Sequence, residues 1–126
     1  LKKKNMSCFW NSINKALGKG WNPAQLLDWY KSVNKVPNRV TINGDFLTRR
    51  QRQENYRWVD GYDLEDGHLT GSADAFFVLL CEVEQCNVLH HSAHGKVLYA
   101  STALNAGPTY VFRSNASHID FVQAVD

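Results

Sequence analysis

The sequence predicts an α+β domain in which a small, mostly antiparallel sheet is flanked by helices. Three observations carry that expectation. Apolar residues recur at helical spacing through the first two thirds of the chain, and short strand-like runs follow them. The links between those later runs are mostly of hairpin length, which favours antiparallel neighbours. A chain of 126 residues, 44% hydrophobic and 21% charged, has the size and composition of one globular domain with one core. A single domain over residues 1–126 is therefore expected.

The elements follow in order. Cys8 to Leu17 reads as a helix, with Phe9, Ile13, Ala16 and Leu17 on one face and Gly18 and Gly20 as its stop. Its low charge predicts burial on most sides. Asn22-Pro23 starts a second helix, with Asn as the cap and Pro in the first turn. Leu26, Leu27, Tyr30 and Val33 make its stripe, which runs to about Lys35. Val40 to Ile42 is a short strand or loop closed by the turn signal Asn43-Gly44. Asp45 caps a third helix over Phe46 to Val59, whose arginines read as a solvated face. Asp60 to Gly67 is an acidic loop. Ser72 caps a helix over Ala73 to Gln85. Strands are expected over Val88 to His91, Lys96 to Ser101 and Thr109 to Arg113, with His94-Gly95 turning between the first two. Ser117 to Val122 alternates His118, Asp120 and Val122 on one face with Ile119 and Phe121 on the other.

Composition excludes several classes. Fourteen basic against 12 acidic residues leave a net charge of +2, which demands neither nucleic acid nor an anionic membrane as partner. No apolar run approaches the ~20 residues that span a bilayer. Lys2, Lys3 and Lys4 are followed by no signal-peptide core, and the chain opens on Leu1, so it is expected to be a segment of a longer one. Three cysteines, an odd number, point to a reducing, cytoplasm-like compartment rather than a disulfide framework.

The chemistry-bearing residues lie near the two ends. Cys8 stands at the start of the first helix, where unpaired N–H groups favour a thiolate. His118 can accept the thiol proton and return it to a leaving amine. Asp120, two residues on, can hold the other imidazole nitrogen. Asn5, Met6 and Ser7, through backbone N–H groups and the Asn side chain, can supply an oxyanion hole. A lone cysteine is more often a small buried hydrophobe, and a strand histidine a merely hydrogen-bonded group.

Three segments in register resemble the OTU (ovarian tumour-like) family of cysteine proteases, chiefly deubiquitinases. Asn5-Met6-Ser7-Cys8-Phe9-Trp10-Asn11-Ser12-Ile13 follows the layout of its catalytic helix. Thr70-Gly71-Ser72-Ala73-Asp74 leads into a helix as in that family, with Val88 to His91 after it. Tyr110-Val111-Phe112 and then His118-Ile119-Asp120 follow its closing strand and catalytic histidine. The chain departs from the pattern at Asn5, where the family has Asp, at Met6, where it has Gly, and at Ile119, where it has an aromatic residue. The resemblance implies a papain-like/OTU-like fold with the catalytic cysteine at a helix N-terminus and no cofactor. It implies cleavage after the C-terminal glycine of ubiquitin or a ubiquitin-like modifier, and, by analogy with compact viral members, of a viral polyprotein in the host cytoplasm. A monomer is expected. Asp63 and Glu65 in the acidic loop are candidates for the arginines of such a substrate tail. Asn115 and Ser117, before His118, are further candidates for substrate contact. Trp10 reads either as a cleft wall or as core.

Two alternatives stay open. One is a catalytically silent relative that only binds ubiquitin or another partner. The other is a small zinc-binding module built from Cys81, Cys86, His90, His91 and His94, whose residue types suit zinc although their spacing fits no common finger.

Overall fold

Helices and strands assemble into two layers, and what positions the candidate site is how the first helix meets the last strand. The structure, a computed structural model, describes residues 7–63, 73–104, 106–115 and 118–126. Helix α1 (Ser7–Leu17) ends where Gly18, at φ 66°, turns its N–H back to Asn14 O at 2.7 Å. That left-handed conformation suits glycine. The Asn14 side chain then accepts from Gly20 and Trp21 N–H and donates to Trp21 O, tying the link that follows to α1. Helix α2 (Pro23–Ser32) opens on Asn22 with a full capping box to Gln25. It stops three residues short of Lys35.

The expectation for residues 45–48 is overturned. Asp45 caps no helix. Asn43 and Gly44 both take positive φ, 50° and 90°, and turn β1 (Val40–Ile42) back into β2 (Asp45–Phe46). Two consecutive positive φ values are what a tight hairpin demands, so the Asn-Gly turn outcompetes the Asp45 cap. Thr48 is the cap instead, boxed with Gln51, and α3 (Arg49–Gly61) starts there.

Helix α4 (Ala73–Glu84) is the centre of the core: every residue from Ala75 to Glu82 is buried. It packs on the sheet formed by β1, β2, β3 (Asn87–Ser92), β4 (Gly95–Ser101), β5 (Thr109–Ser114) and β6 (Ile119–Val125). The strand order is β2-β1-β4-β3-β5-β6. All neighbours are antiparallel except β3 and β5. The mostly antiparallel α+β architecture thus stands, with one parallel pair. The cause of that pair is the connection after β4, which passes the start of β3 before entering β5. Gly107 N–H donates to Gln85 O at 2.6 Å, and Asn87 N–H to Pro108 O at 3.0 Å. The β3–β4 turn falls one residue earlier than expected, on Ala93 and His94.

Phe77 joins the layers. Its ring centroid lies 5.5 Å from Phe9, 5.4 Å from Tyr99, 5.1 Å from Phe112 and 5.3 Å from His90. Near the other end of α4, the buried Glu82 accepts the N–H groups of Asn38 and Arg39 at 3.1 and 3.0 Å, with Lys35 and Arg39 charges 3.9 Å away. A buried carboxylate is tolerated only with such donors. It holds the approach to β1 against α4. Lys19 Nζ lies over the Trp21 and Trp29 rings, 5.1 and 4.9 Å from their centroids, and 3.8 Å from Glu84. That cation–π contact pins the α1–α2 link.

Gln85, directly after α4, holds φ 54° without being glycine. Left-handed backbone costs an L residue roughly 1–2 kcal/mol. Gln85→Gly is expected to raise the unfolding free energy by about 0.5–1 kcal/mol, after the greater entropy of a glycine in the unfolded chain is offset. Urea denaturation measures it; a fall in the midpoint would contradict the strain.

Candidate functional site

Helix α1 lies along β6, and two contacts set the register. Ser12 Oγ is 2.7 Å from Cys8 O and 3.0 Å from Ile119 O. A serine hydroxyl has one proton, so the two carbonyls share it. One turn further on, Lys15 Nζ lies 3.3 Å from Asp120 Oδ1. Both contacts join α1 to the start of β6. Through the shared Ser12 hydroxyl the Cys8 carbonyl lies close to that of Ile119, the residue that follows His118.

Cys8 sits in the first turn of α1 and is 5% exposed. His118 is exposed, just ahead of β6. Its backbone is fixed by a reciprocal pair: His118 N–H donates to Asn115 Oδ1 at 3.0 Å, and Asn115 N–H donates to His118 O at 2.9 Å. The expected alternation along this strand holds at Ile119, which is buried, and at Phe121, which packs against the core.

The other candidate residues fall into four groups. Asp120 has partners other than the expected imidazole. The oxygen that meets Lys15 also accepts the N–H of Phe121 at 2.9 Å, and among the described residues no hydrogen bond joins Asp120 to His118. Trp10 is 0% exposed and packs edge-on against Phe9 and Phe76, so the cleft-wall reading is corrected to core. Asp63, after α3, lies 3.7 Å from Lys31 Nζ with its side chain 73% exposed. Asn5, Met6, Glu65 and Ser117 lie outside the described residues, as does the Ser7 side chain; the Ser7 backbone opens α1.

The cysteine–histidine cluster near the β3–β4 hairpin does not converge. The Cys81 and Cys86 thiols are buried and point at Tyr99 O and Leu80 O. Burial pushes the Cys81 thiol well above its ordinary range, with Cys86 beside it adding to the effect. Such a thiol is a packing group. Among the described residues, no three His, Cys, Asp or Glu side chains gather as metal ligands.

His90 and Ser114 were not singled out as a pair by the sequence, and the fold joins them. His90 Nε2 lies 2.7 Å from Ser114 Oγ, with Phe77 packed on the ring. Burial holds the His90 imidazole below its usual basicity, with His91 acting in the same direction and Asp74 opposing. Asp74, in the first turn of α4, accepts the Tyr99 hydroxyl. Burial, reinforced by that carboxylate, pushes the Tyr99 phenol up. Ser12 was likewise missed. A hydroxyl on the buried face of an apolar helix is the available signal, because it must find a partner.

No protein-family model, curated protein or solved structure matches the chain. Among the described residues, no helix is long and apolar enough to cross a membrane.

Ser12→Ala leaves the Ile119 carbonyl without its donor and is expected to cost about 1–2 kcal/mol in unfolding free energy. Chemical denaturation reads this, and a change below about 0.3 kcal/mol would mean that the bridge contributes nothing. His90 gives a pH dependence. Its folded-state pKa lies below its unfolded value, so the unfolded chain binds the proton more readily. The contribution of His90 is complete above the ordinary histidine value of 6.5 and is lost as pH falls through the lowered one. Denaturation midpoints measured from pH 7.5 down to about 5.5 are expected to fall less steeply for His90→Phe than for the native chain.

Proposed function

We propose that the chain is an OTU-like thiol hydrolase that cleaves peptide or isopeptide bonds after the C-terminal glycine of ubiquitin or a ubiquitin-like modifier. The observation that supports this reading is the clamp between α1 and β6. Ser12, bonded to both Cys8 O and Ile119 O, and Lys15 on Asp120 hold the helix that carries Cys8 against the strand that His118 precedes. A nucleophile at a helix N-terminus and an imidazole at the entry to the neighbouring strand are the two parts that acyl transfer to sulfur requires.

The reaction runs in two halves. His118 takes the Cys8 proton as the sulfur attacks the glycine carbonyl. Backbone N–H groups of the first turn of α1, with the Asn5 to Ser7 approach, receive the developing oxyanion. The carbon–nitrogen bond breaks, the amine leaves with the proton from His118, and a thioester remains on Cys8. Water then attacks the thioester, His118 takes its proton, and the thiol is restored as the carboxylate departs. Asp120 serves this chemistry by tethering β6 to α1 through Lys15. Asp63 and Glu65 are assigned to arginines in the substrate tail. A viral polyprotein is the second substrate class, and the host cytoplasm is the setting; the protein acts as a monomer.

Burial of Cys8 at 5% exposure favours a second reading, a catalytically silent module that binds ubiquitin or another partner. A ubiquitin carrying a C-terminal electrophile separates the two. The hydrolase reading expects a covalent adduct with the native chain, none with Cys8→Ala, and labelling slowed by a factor on the order of 100 or more with His118→Ala. No adduct, together with no cleavage of any ubiquitin-like chain, removes the enzyme and leaves the binding module.

A further inference from the structure

We propose that His90 and Ser114 form a brace that positions His118, an inference that rests on the thiol-hydrolase reading. His90 is on β3, an interior strand of the sheet bonded to β4 on one side and β5 on the other. Its ring packs against Phe77, 5.3 Å between centroids, and Phe77 also touches Phe9, the residue after Cys8. The imidazole is thus held from behind by the core that carries the nucleophile. From its other side Nε2 meets Ser114 Oγ at 2.7 Å.

Ser114 is where β5 ends. It faces Ile119 in the β5–β6 ladder. The next residue, Asn115, holds both the N–H and the C=O of His118. Fixing the Ser114 side chain to β3 therefore fixes the end of β5 from which Asn115 reaches His118. The chain of contacts is Phe77, His90, Ser114, then through the backbone to Asn115 and His118. His90 touches no reacting atom in this arrangement, so it is a positioning residue. The bond needs only one N–H or one lone pair on the ring, and either tautomer of the neutral imidazole provides it. The half-buried site favours that neutral form. The charged groups that act on the ring are Asp74, on α4, and His91, the next residue of β3. Displacement of a catalytic group by about 1 Å costs roughly 100-fold in rate, so a looser His118 is read directly in kcat.

The test uses the whole chain and ubiquitin bearing a C-terminal fluorogenic amide. His90→Phe keeps the packing on Phe77 and removes the hydrogen bond. Ser114→Ala removes its other half. His90→Gln retains a side-chain amide able to meet Ser114. The expected result is a kcat lowered roughly 10-fold in His90→Phe and in Ser114→Ala, with KM within about twofold and the double variant no worse than the poorer single one. His90→Gln recovers most of the loss. Amide hydrogen exchange at Asn115 and His118, expected to speed up in both single variants, reads the brace without any turnover. Unchanged exchange, additive losses, or losses matched by thermal unfolding of the variants would overturn the brace. A native chain that neither hydrolyses ubiquitin amides nor takes the electrophile overturns the hydrolase reading instead, and the exchange data still decide whether the brace exists.

Discussion

The hydroxyl of Ser12 is the constraint on which the candidate site depends. Helix α1 has no covalent neighbour near β6; more than 100 positions of chain separate them. A single proton shared between Cys8 O and Ile119 O fixes how far the helix slides along the strand. Apolar packing alone would hold α1 against the core but would leave its register soft, because burial is not directional. The surface pair Lys15–Asp120, with both side chains more than half exposed, adds at most about 1 kcal/mol. Its value lies in agreeing with the Ser12 register.

Behind that bridge the core supplies rigidity. Phe77 reaches α1 through Phe9, β3 through His90, β4 through Tyr99 and β5 through Phe112. A close-packed aromatic hub transmits position because its neighbours have no room to shift. Trp10 belongs to the same hub. Its indole N–H is buried without a hydrogen-bond partner among the described residues, a cost that the surrounding rings offset. Three other polar side chains enter this interior with partners: Glu82 with two backbone N–H groups, Tyr30 with Glu84, Tyr99 with Asp74.

Local chemistry made much of the fold legible. Asn22-Pro23 with Gln25 spells a helix start because every group of the capping box lies within four residues. Gly18 marks the end of α1 for an equally local reason, its positive φ. The hairpin at Asn43-Gly44 shows where local signals compete. Asp45 and Thr48 both qualify as caps, and the turn decides between them by committing Asp45 to a strand. The parallel pairing of β3 with β5 has no local signature at all. It follows from a connection that passes one strand before joining its far edge.

By itself the sequence determined that this is an α+β chain with Cys8 in the first turn of a helix and Ile119 and Phe121 on the inward face of the last strand; His118, expected on that strand, lies just ahead of it. Periodicity, caps and turns act over a few residues, so they can be read in one dimension. The tertiary structure decided which side chains meet. It placed α1 along β6, turned Asp120 to Lys15, buried Trp10, and brought His90 from β3 onto Ser114 at the end of β5. Such pairings span 24 to 107 positions of chain. They are fixed by the simultaneous packing of α1, α4 and the sheet, which no window of sequence contains.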